Sequence, residues 1–283
     1  MISGLVQDWD FQPSRVARWE RRAALESFVR SAHRRPAWAE IKALTQKRCW
    51  IVYFMYAPDG TITPSQQFTL SRLKDLAQPV LIVCSCPDRN RIPDGLSRYC
   101  DALLWKDLPG YDFSAYTLAL RQISRKSPGA DVLVMNDSVF GPFTDLRQIL
   151  CEDRWDLTGF TASSQLTNHI QSYAFRLRDV SPQRMTRLSS VFFPFFALSD
   201  SRVVVHVQEI RLARVAARSM KVGAYWFGDA KDVIDPSLVR PAELLDAGFP
   251  FLKRSLLGKH KRFIDRDLVI ARLEQNGHPI NFF

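Results

Sequence analysis

No apolar run in this sequence is long enough to cross a membrane. The longest stop at strand length, as in Trp50-Ile51-Val52-Tyr53-Phe54-Met55, against the roughly 18 residues a spanning helix needs. The start of the chain lacks an apolar signal core and carries Asp8 and Asp10 instead, so the expected location is the cytoplasm. Cysteine is sparse: five residues, at 49, 84, 86, 100 and 151, with no Cys-x-x-Cys pair and no Cys/His spacing that suits zinc. They read as buried or half-buried thiols. Glycine is also sparse, and its 12 residues form neither Gly-x-Gly-x-x-Gly nor a Walker lysine loop, which argues against dehydrogenases and P-loop enzymes. His-Glu-x-x-His and Gly-x-Ser-x-Gly are missing too, which argues against zinc peptidases and α/β-hydrolases.

Acidic residues are outnumbered, 29 against 39 Lys and Arg, for a formal charge of +10. The bases concentrate between Arg15 and Arg48 and between Lys253 and Arg266. Such a surface suits nucleic acid, anionic lipid or phosphorylated substrates, and part of it serves only as a solvated face. No nucleic-acid-binding motif accompanies the charge, so nucleic acid is not an expected partner.

What is present is the composition of an ordinary globular domain, 46% hydrophobic and 24% charged. Residues 14–47 read as a basic amphipathic helix with an apolar stripe of Trp19, Ala23, Leu25, Phe28 and Val29, which would cover the sheet or lie on a membrane surface. From residue 49 strands and helices alternate. Residues 50–55, 79–84, 102–104 and 131–135 read as strands. Thr63, Pro64 and Gln66 read as the N-cap, first and third positions of a helix. Asp112 could cap another over 113–125. This alternation implies βαβ units and a doubly wound α/β sheet. Further on, 155–160 and 172–177 read as strands, Phe192 to Phe196 as core, 207–220 as a helix closed at Gly223, 236–258 as loops and 264–275 as a last helix. The expected organisation is a helical arm over 1–48, a main domain over 49–258 and a helical extension over 259–283 packed on it.

In open α/β sheets ligands bind beyond the carboxyl ends of the strands. That rule selects Tyr56 to Gly60, Cys84 to Arg89, Asp107 to Asp112 and Asn136 to Ser138. In Asn136-Asp137-Ser138-Val139-Phe140-Gly141-Pro142 an acid follows a buried strand. Its carboxylate could hold a divalent cation that offsets charge on a leaving diphosphate, or the segment could be a plain Asn-Asp-Ser turn. Asp112 is open to a capping role. His169 is open to a structural role, although Gln171, Ser172 and Tyr173 beside it suit sugar hydroxyls. Glu209 is stabilised by a helix dipole or serves as a general base.

These residues carry a resemblance to the rhamnan synthesis protein F family of bacterial cell-surface polysaccharide assembly. Four blocks bear it in order: Gly110-Tyr111-Asp112-Phe113-Ser114-Ala115-Tyr116; Val134-Met135-Asn136-Asp137-Ser138-Val139-Phe140-Gly141-Pro142; Trp155-Asp156-Leu157-Thr158-Gly159-Phe160-Thr161 with His169-Ile170-Gln171-Ser172-Tyr173; and Ala247-Gly248-Phe249-Pro250-Phe251-Leu252-Lys253-Arg254. The resemblance implies a GT-A-like nucleotide-diphospho-sugar transferase fold, with a mostly parallel sheet flanked by helices. It also implies transfer of a sugar, rhamnose being the namesake, from a nucleotide diphosphate sugar to a saccharide acceptor. It places Asp112, Asn136, Asp137, Ser138, Lys253 and Arg254 at the donor, and His169 and Gln171 at the acceptor. Glu209 is the expected base, with Asp156 second. Mg²⁺ or Mn²⁺ would sit on Asp137. The chain departs from the usual Asp-x-Asp, because Val139 occupies the second acid's place. It also has Leu108 where relatives carry Asn, and Gly159 follows Thr158 rather than preceding it. An alternative consistent with these departures is a non-catalytic carbohydrate- or membrane-binding partner. The basic segments fit peripheral contact with an anionic membrane that presents a lipid-linked acceptor.

Overall fold

The computed structural model describes residues 4–14, 18–31, 33–228 and 235–281. The chain begins with strand β1 (Leu5–Asp10), helix α1 (Arg18–Arg30), and strands β2 (His33–Arg34) and β3 (Trp38–Lys42). Then come β4 (Cys49–Tyr56), α2 (Pro64–Asp75), β5 (Val80–Ser85), β6 (Ala102–Lys106), α3 (Tyr111–Lys126) and β7 (Ala130–Asn136). After β8 (Val139–Phe140) and α4 (Arg147–Cys151) follow β9 (Leu157–Ser163), β10 (His169–Ile170), β11 (Ala174–Val180), α5 (Pro182–Arg187) and β12 (Ala197–Leu198). Helix α6 (Ser201–Val204) runs through a π-helical turn (Val205–Glu209) into α7 (Ile210–Ala216). Strand β13 (Val222–Gly228), α8 (Pro236–Val239), α9 (Pro241–Asp246), β14 (Leu252–Lys253) and α10 (Arg266–Gln275) complete the described elements.

One sheet organises the molecule, in the order β1-β13-β9-β11-β7-β4-β5-β6-β3, with β10 paired to β9. Strands β4, β5, β6, β7, β9 and β13 run one way, and β1, β3 and β11 oppose them. The mostly parallel sheet flanked by helices is therefore present. The two-residue period of β4 sorts its side chains cleanly. Trp50, Val52 and Phe54 pack with Phe113, Tyr116 and Leu120 of α3, while Ile51, Tyr53 and Met55 pack with Leu70 and Leu73 of α2. Burial on both faces is why this strand reads as one apolar run. The chain leaves β4 for β5 and β6, then returns to β7 on β4's other side. This reversal opens a crevice at the carboxyl ends of β4 and β7.

Several sequence expectations are corrected. The helix expected over 14–47 ends at Arg30, and β3 continues the segment as an edge of the sheet. Pro36 cannot donate within a helix, and Trp38-Ala39-Glu40-Ile41-Lys42 can extend the sheet's ladder. The first 48 residues thus supply both edge strands rather than an appended arm. Of the apolar stripe, Phe28 packs against the core, while Leu25 and Val29 are exposed. The side chains of Trp19 and Ala23 lie outside the described residues. In the aromatic cluster, Phe192 is buried but Phe195 is 77% exposed. Strands β9 and β11 start two residues later than expected.

Gly223 does not close a helix. It lies in β13, where the Trp155 indole covers it, and a Cβ there would stand 2.1 Å from Trp155 Cε2. Trp155 is itself held by a 2.6 Å bond from its Nε1 to Asp10 of β1. Gly223→Ala should therefore destabilise the fold by about 1–3 kcal/mol through overpacking. A denaturation midpoint equal to wild type would show that the indole can move aside.

Candidate active site

The crevice is held together by one carboxylate. Asp137 follows β7 and is half-buried. Its Oδ2 accepts 2.9 Å bonds from the backbone N–H of Tyr56, at the end of β4, and from Gln66 Nε2, in the first turn of α2. Its own N–H donates to Phe54 at 3.1 Å. Gln66 arrives by the expected capping box: Thr63 Oγ1 accepts from the Gln66 N–H, and Gln66 Oε1 accepts from the Thr63 N–H. The same amide's nitrogen is thereby aimed at Asp137 and at the Tyr56 carbonyl. Burial pushes the Asp137 carboxyl upward, opposed by these bonds and by the Arg254 charge.

Asn136 and Ser138 complete an Asn-Asp-Ser turn. Asn136 Oδ1 accepts from Ser138 N–H at 3.0 Å and from Ser138 Oγ at 2.5 Å. The turn reading and the site reading thus coexist, because the other end of Asn136 reaches the site. Its Nδ2 donates to Asp112 Oδ2 at 3.2 Å. Asp112 is not an N-cap. Gly110, at φ 100, is the cap, and Asp112 lies in the first turn of α3 with its Oδ1 accepting from Phe113 N–H. Only glycine suits position 110, since a Cβ would approach the Ala197 Cβ to 2.5 Å. The loop before it is fixed from beneath by Lys106, fully buried, whose Nζ donates to Asp107 and Pro109 carbonyls at 2.6 and 2.5 Å. Burial lowers the Lys106 pKa to about 8.

Glu209 comes from the π-helical turn, not from the start of a helix, so no helix dipole favours its charge. Single π-turns recur at functional sites. Ser172 donates to its Oε2 from both backbone N–H, at 3.1 Å, and hydroxyl. Asp112 and Glu209 are close enough to repel. Burial, then the charge of Glu209, raise the Asp112 pKa to about 7.

A second network closes the other side. His169 is buried, with Nδ1 at 2.7 Å from the Thr167 carbonyl. That bond requires the proton on Nδ1, which leaves Nε2 to accept from Gln171 Nε2 at 3.3 Å. Gln171 Oε1 accepts from Lys253 Nζ at 3.2 Å, and Lys253 pairs with buried Asp235 at 2.5 Å while lying 4.9 Å over the Tyr173 ring. Asp235 is buried, but the Lys253 charge and bonds from Lys253 and Ser237 hold its carboxyl below the usual range. Lys253 is thus occupied inside the protein. Arg254 is the cation at the Asp137 turn. Its Nη1 donates to the Asp137 carbonyl at 3.2 Å, its backbone N–H bonds Ser138, and its guanidinium lies 5.5 Å from the Phe140 ring centre.

Asp156 is not brought to this place. It precedes β9, at the opposite end of the sheet, where it accepts from the Lys221 N–H at 2.8 Å and pairs with Arg184 at 3.4 Å. The residues at Asp137 do not fit a tightly held divalent cation. Val139 is buried where a second acid would stand, the Asp137 Oδ2 already accepts two N–H bonds, and a guanidinium is bonded to the same residue. Among the described residues no group of three His, Cys, Asp or Glu side chains could hold a metal.

Sequence reading missed Asp235, Gln66 as a site residue, and Lys106. Asp235-Pro236 carries the signal of an N-cap before a first-turn proline, and the structure uses it so. A cap seldom doubles as an ion-pair partner, so nothing local singled it out. No described helix is long and apolar enough to cross a membrane.

Comparison with known proteins bears on these residues. Rhamnan synthesis protein F is matched over residues 80–278, which contain all four sequence blocks. An uncharacterized protein of Sinorhizobium fredii, y4gN, is 27% identical over 227 residues, covering 75% of this chain and 54% of that protein. The virulence protein VirA of Vibrio anguillarum is 36% identical over 83 residues, 28% of this chain and 27% of that protein. This chain therefore spans about half the length of the first relative and about a quarter of the second. A solved structure from Desulfovibrio desulfuricans, described as a nucleotide-diphospho-sugar transferase, gives a TM-score of 0.40 at 12% identity, covering 82% of this chain and 97% of that one. The family match covers well over half of the sequence, and the chain belongs to the rhamnan synthesis protein F family.

Proposed function

We propose that the chain is a glycosyltransferase with a GT-A-like frame, moving a sugar from a nucleotide diphosphate sugar to a saccharide acceptor during cell-surface polysaccharide assembly. Rhamnose, the sugar in the family's name, is the first candidate. The observation that carries the reading is the meeting of Asp112, Asn136, Asp137, Glu209 and Arg254 at one crevice, at the point where the strand order reverses. Nothing in catalysis by a metal is required of these residues. Arg254 neutralises the donor diphosphate, a geometry its planar guanidinium suits. Asp137 keeps β4, α2 and β7 in register beneath it. Lys253 positions Gln171, and through it His169, toward an acceptor hydroxyl.

The acceptor hydroxyl must lose a proton as the new bond forms. Asp112 is better suited to take it than Glu209, whose carboxylate is tied to Ser172. Two neighbouring acids whose environments differ divide into a base and a charged partner. Glu209 is the partner that keeps Asp112 basic near neutral pH. The acceptor is lipid-linked in this reading, and the basic segments meet the anionic face of the membrane that presents it.

Four outcomes follow. In a transfer assay with a panel of UDP-, GDP- and dTDP-sugars, Asp112→Asn should lower kcat by roughly 10²–10⁴-fold. Wild-type kcat should fall as pH drops through about 7, where Asp112 protonates, and Glu209→Gln should move that limb to lower pH. An unmoved limb would remove Asp112 as the base. The same ionisation has a stability consequence of opposite sign. The folded Asp112 holds its proton to higher pH than the unfolded chain does, so folding stability falls as pH rises from about 4 to about 7. Asp112→Asn should therefore melt higher than wild type above neutrality, and equal melting there would contradict the buried charge. Arg254→Met should weaken UDP binding tenfold or more by calorimetry, each tenfold being about 1.4 kcal/mol, and the loss should be the same with or without Mn²⁺.

A further inference from the structure

Three large apolar side chains stand in water beside the crevice. Leu25 and Val29 of α1 are 63% and 69% exposed, and Phe195 is 77% exposed. They are not scattered. Phe28 anchors α1 to the α3 face of the sheet, with its ring centre 5.8 Å from that of Phe193 and 5.9 Å from that of Phe196. Phe195 therefore belongs to the loop whose two other rings seat the helix. By helical geometry Leu25 and Val29 lie about 60° and 100° round α1 from Phe28, on one flank. Helix α1 also packs on α6 and on the π-helical turn, whose Val205 is exposed as well. Apolar groups gathered on one face of a folded chain mark an interaction surface.

Arginine surrounds this face. Residues 18–35 contain six Arg against two Glu. Arg22 pairs with Glu26 at 2.8 Å. Arg30, Arg34, Arg35 and Arg202 are exposed and form no ion pair among the described residues. Asp200, beside Arg202 in sequence, is occupied as the cap of α6, where it accepts from the Arg202 and Val203 N–H groups.

Charge and apolarity together select the partner. A second copy of the chain would bring two arginine clusters against each other. Nucleic acid would answer the arginines and leave Phe195, Leu25 and Val29 without an apolar partner. An anionic lipid surface answers both, because headgroup phosphates take the guanidinium groups while the acyl boundary takes the apolar side chains. The face also lies at the rim of the crevice. Just beyond Phe195, Ala197 of β12 pairs with Arg34 of β2, and a Cβ on Gly110 would come within 2.5 Å of the Ala197 Cβ. Gly110 leads directly into Asp112, and the π-helical turn that begins at Val205 ends at Glu209. The segments that carry the apolar face are thus joined to those that carry the two acids. We propose that α1, the Phe195 loop and Val205 form a docking face for an anionic bilayer, which turns the crevice toward an acceptor held in that bilayer. The acceptor clause rests on the transferase reading, whereas lipid docking does not.

Co-sedimentation of the whole chain with vesicles tests it. At low salt the protein should pellet with equimolar phosphatidylglycerol and phosphatidylcholine, and far less with phosphatidylcholine alone. Arg30→Gln and Arg34→Gln should each weaken partition about fivefold, the effect of one basic residue near an anionic surface. Phe195→Ser should weaken it about tenfold by withdrawing one apolar side chain from the acyl boundary, at an unchanged melting temperature because the ring is exposed in the free protein. Leu268→Ser should change nothing, since this exposed leucine lies on α10, whose following tail packs on α2 at the other face of the sheet. Phe195→Trp should add fluorescence that bromine atoms on the lipid acyl chains quench. Failure to pellet with the anionic vesicles overturns the proposal, as does pelleting that survives Phe195→Ser, or a Trp at 195 that the bromines do not reach. Self-association abolished by Phe195→Ser, without vesicle binding, would give the face to a second copy instead. Vesicle binding by a protein that transfers no sugar from any nucleotide donor would sink the transferase reading and leave the docking face. Sugar transfer to a soluble acceptor without vesicle binding would do the reverse.

Discussion

The crevice depends on a carboxylate that three elements share. Asp137 leaves β7, accepts from the end of β4 and accepts again from the first turn of α2. Without it, two N–H donors would lack a partner and the loop after β4 would lose its tie to β7. The cost of such orphaned donors is about 1–3 kcal/mol each, enough to loosen the place where the other polar groups converge. Asn136 and Ser138 take their positions from the turn that Asp137 begins. Asn136 then reaches Asp112, and Arg254 closes the turn from the opposite side. The acid in this motif acts first as a clasp.

The site's electrostatics follow from that arrangement. Asp112 and Glu209 arrive on separate elements, α3 and the π-helical turn, with their charges unequally compensated. Ser172 donates twice to Glu209, while Asp112 receives an amide and one backbone N–H and is desolvated. Burial first, then the charge of Glu209, is what makes Asp112 basic. The cations are likewise unequal. Lys253 is committed to Asp235, and Arg254 stands at the turn. Both belong to β14 and the residue after it, and β14 pairs with β8, directly beyond Asp137.

Local signals were legible wherever a short stretch decided its own structure. Thr63-Pro64-Ser65-Gln66 specifies a helix start because all four groups lie within one turn. The apolar runs at 50–55, 79–84 and 131–135 specify buried parallel strands because both faces of each are covered. The family blocks likewise marked Asp112, Asn136 and Asp137. The failures have two causes. The helix expected over 14–47 overlooks the local break at Pro36, whereas the helix closure at Gly223 and the Asp112 cap fail at residues whose partners lie far along the chain. Gly223 is a glycine because Trp155 lies on it, and Gly110 because Ala197 does. Neither contact has a local signature.

By itself, then, the sequence determined an α/β chain with a parallel core, a strand ending in an acid, and membership of a family, since periodicity, capping and motif order are local or collinear properties. Only the tertiary structure decided which acids meet. It moved Asp156 to the far end of the sheet, set Glu209 beside Asp112, committed Lys253 to Asp235 and left Arg254 at the turn. It also made the first residues a sheet edge. The reason is that charge and hydrogen bonding act through space over a few ångströms, whereas the groups involved are separated by as many as 145 residues of chain, as Asp10 and Trp155 are.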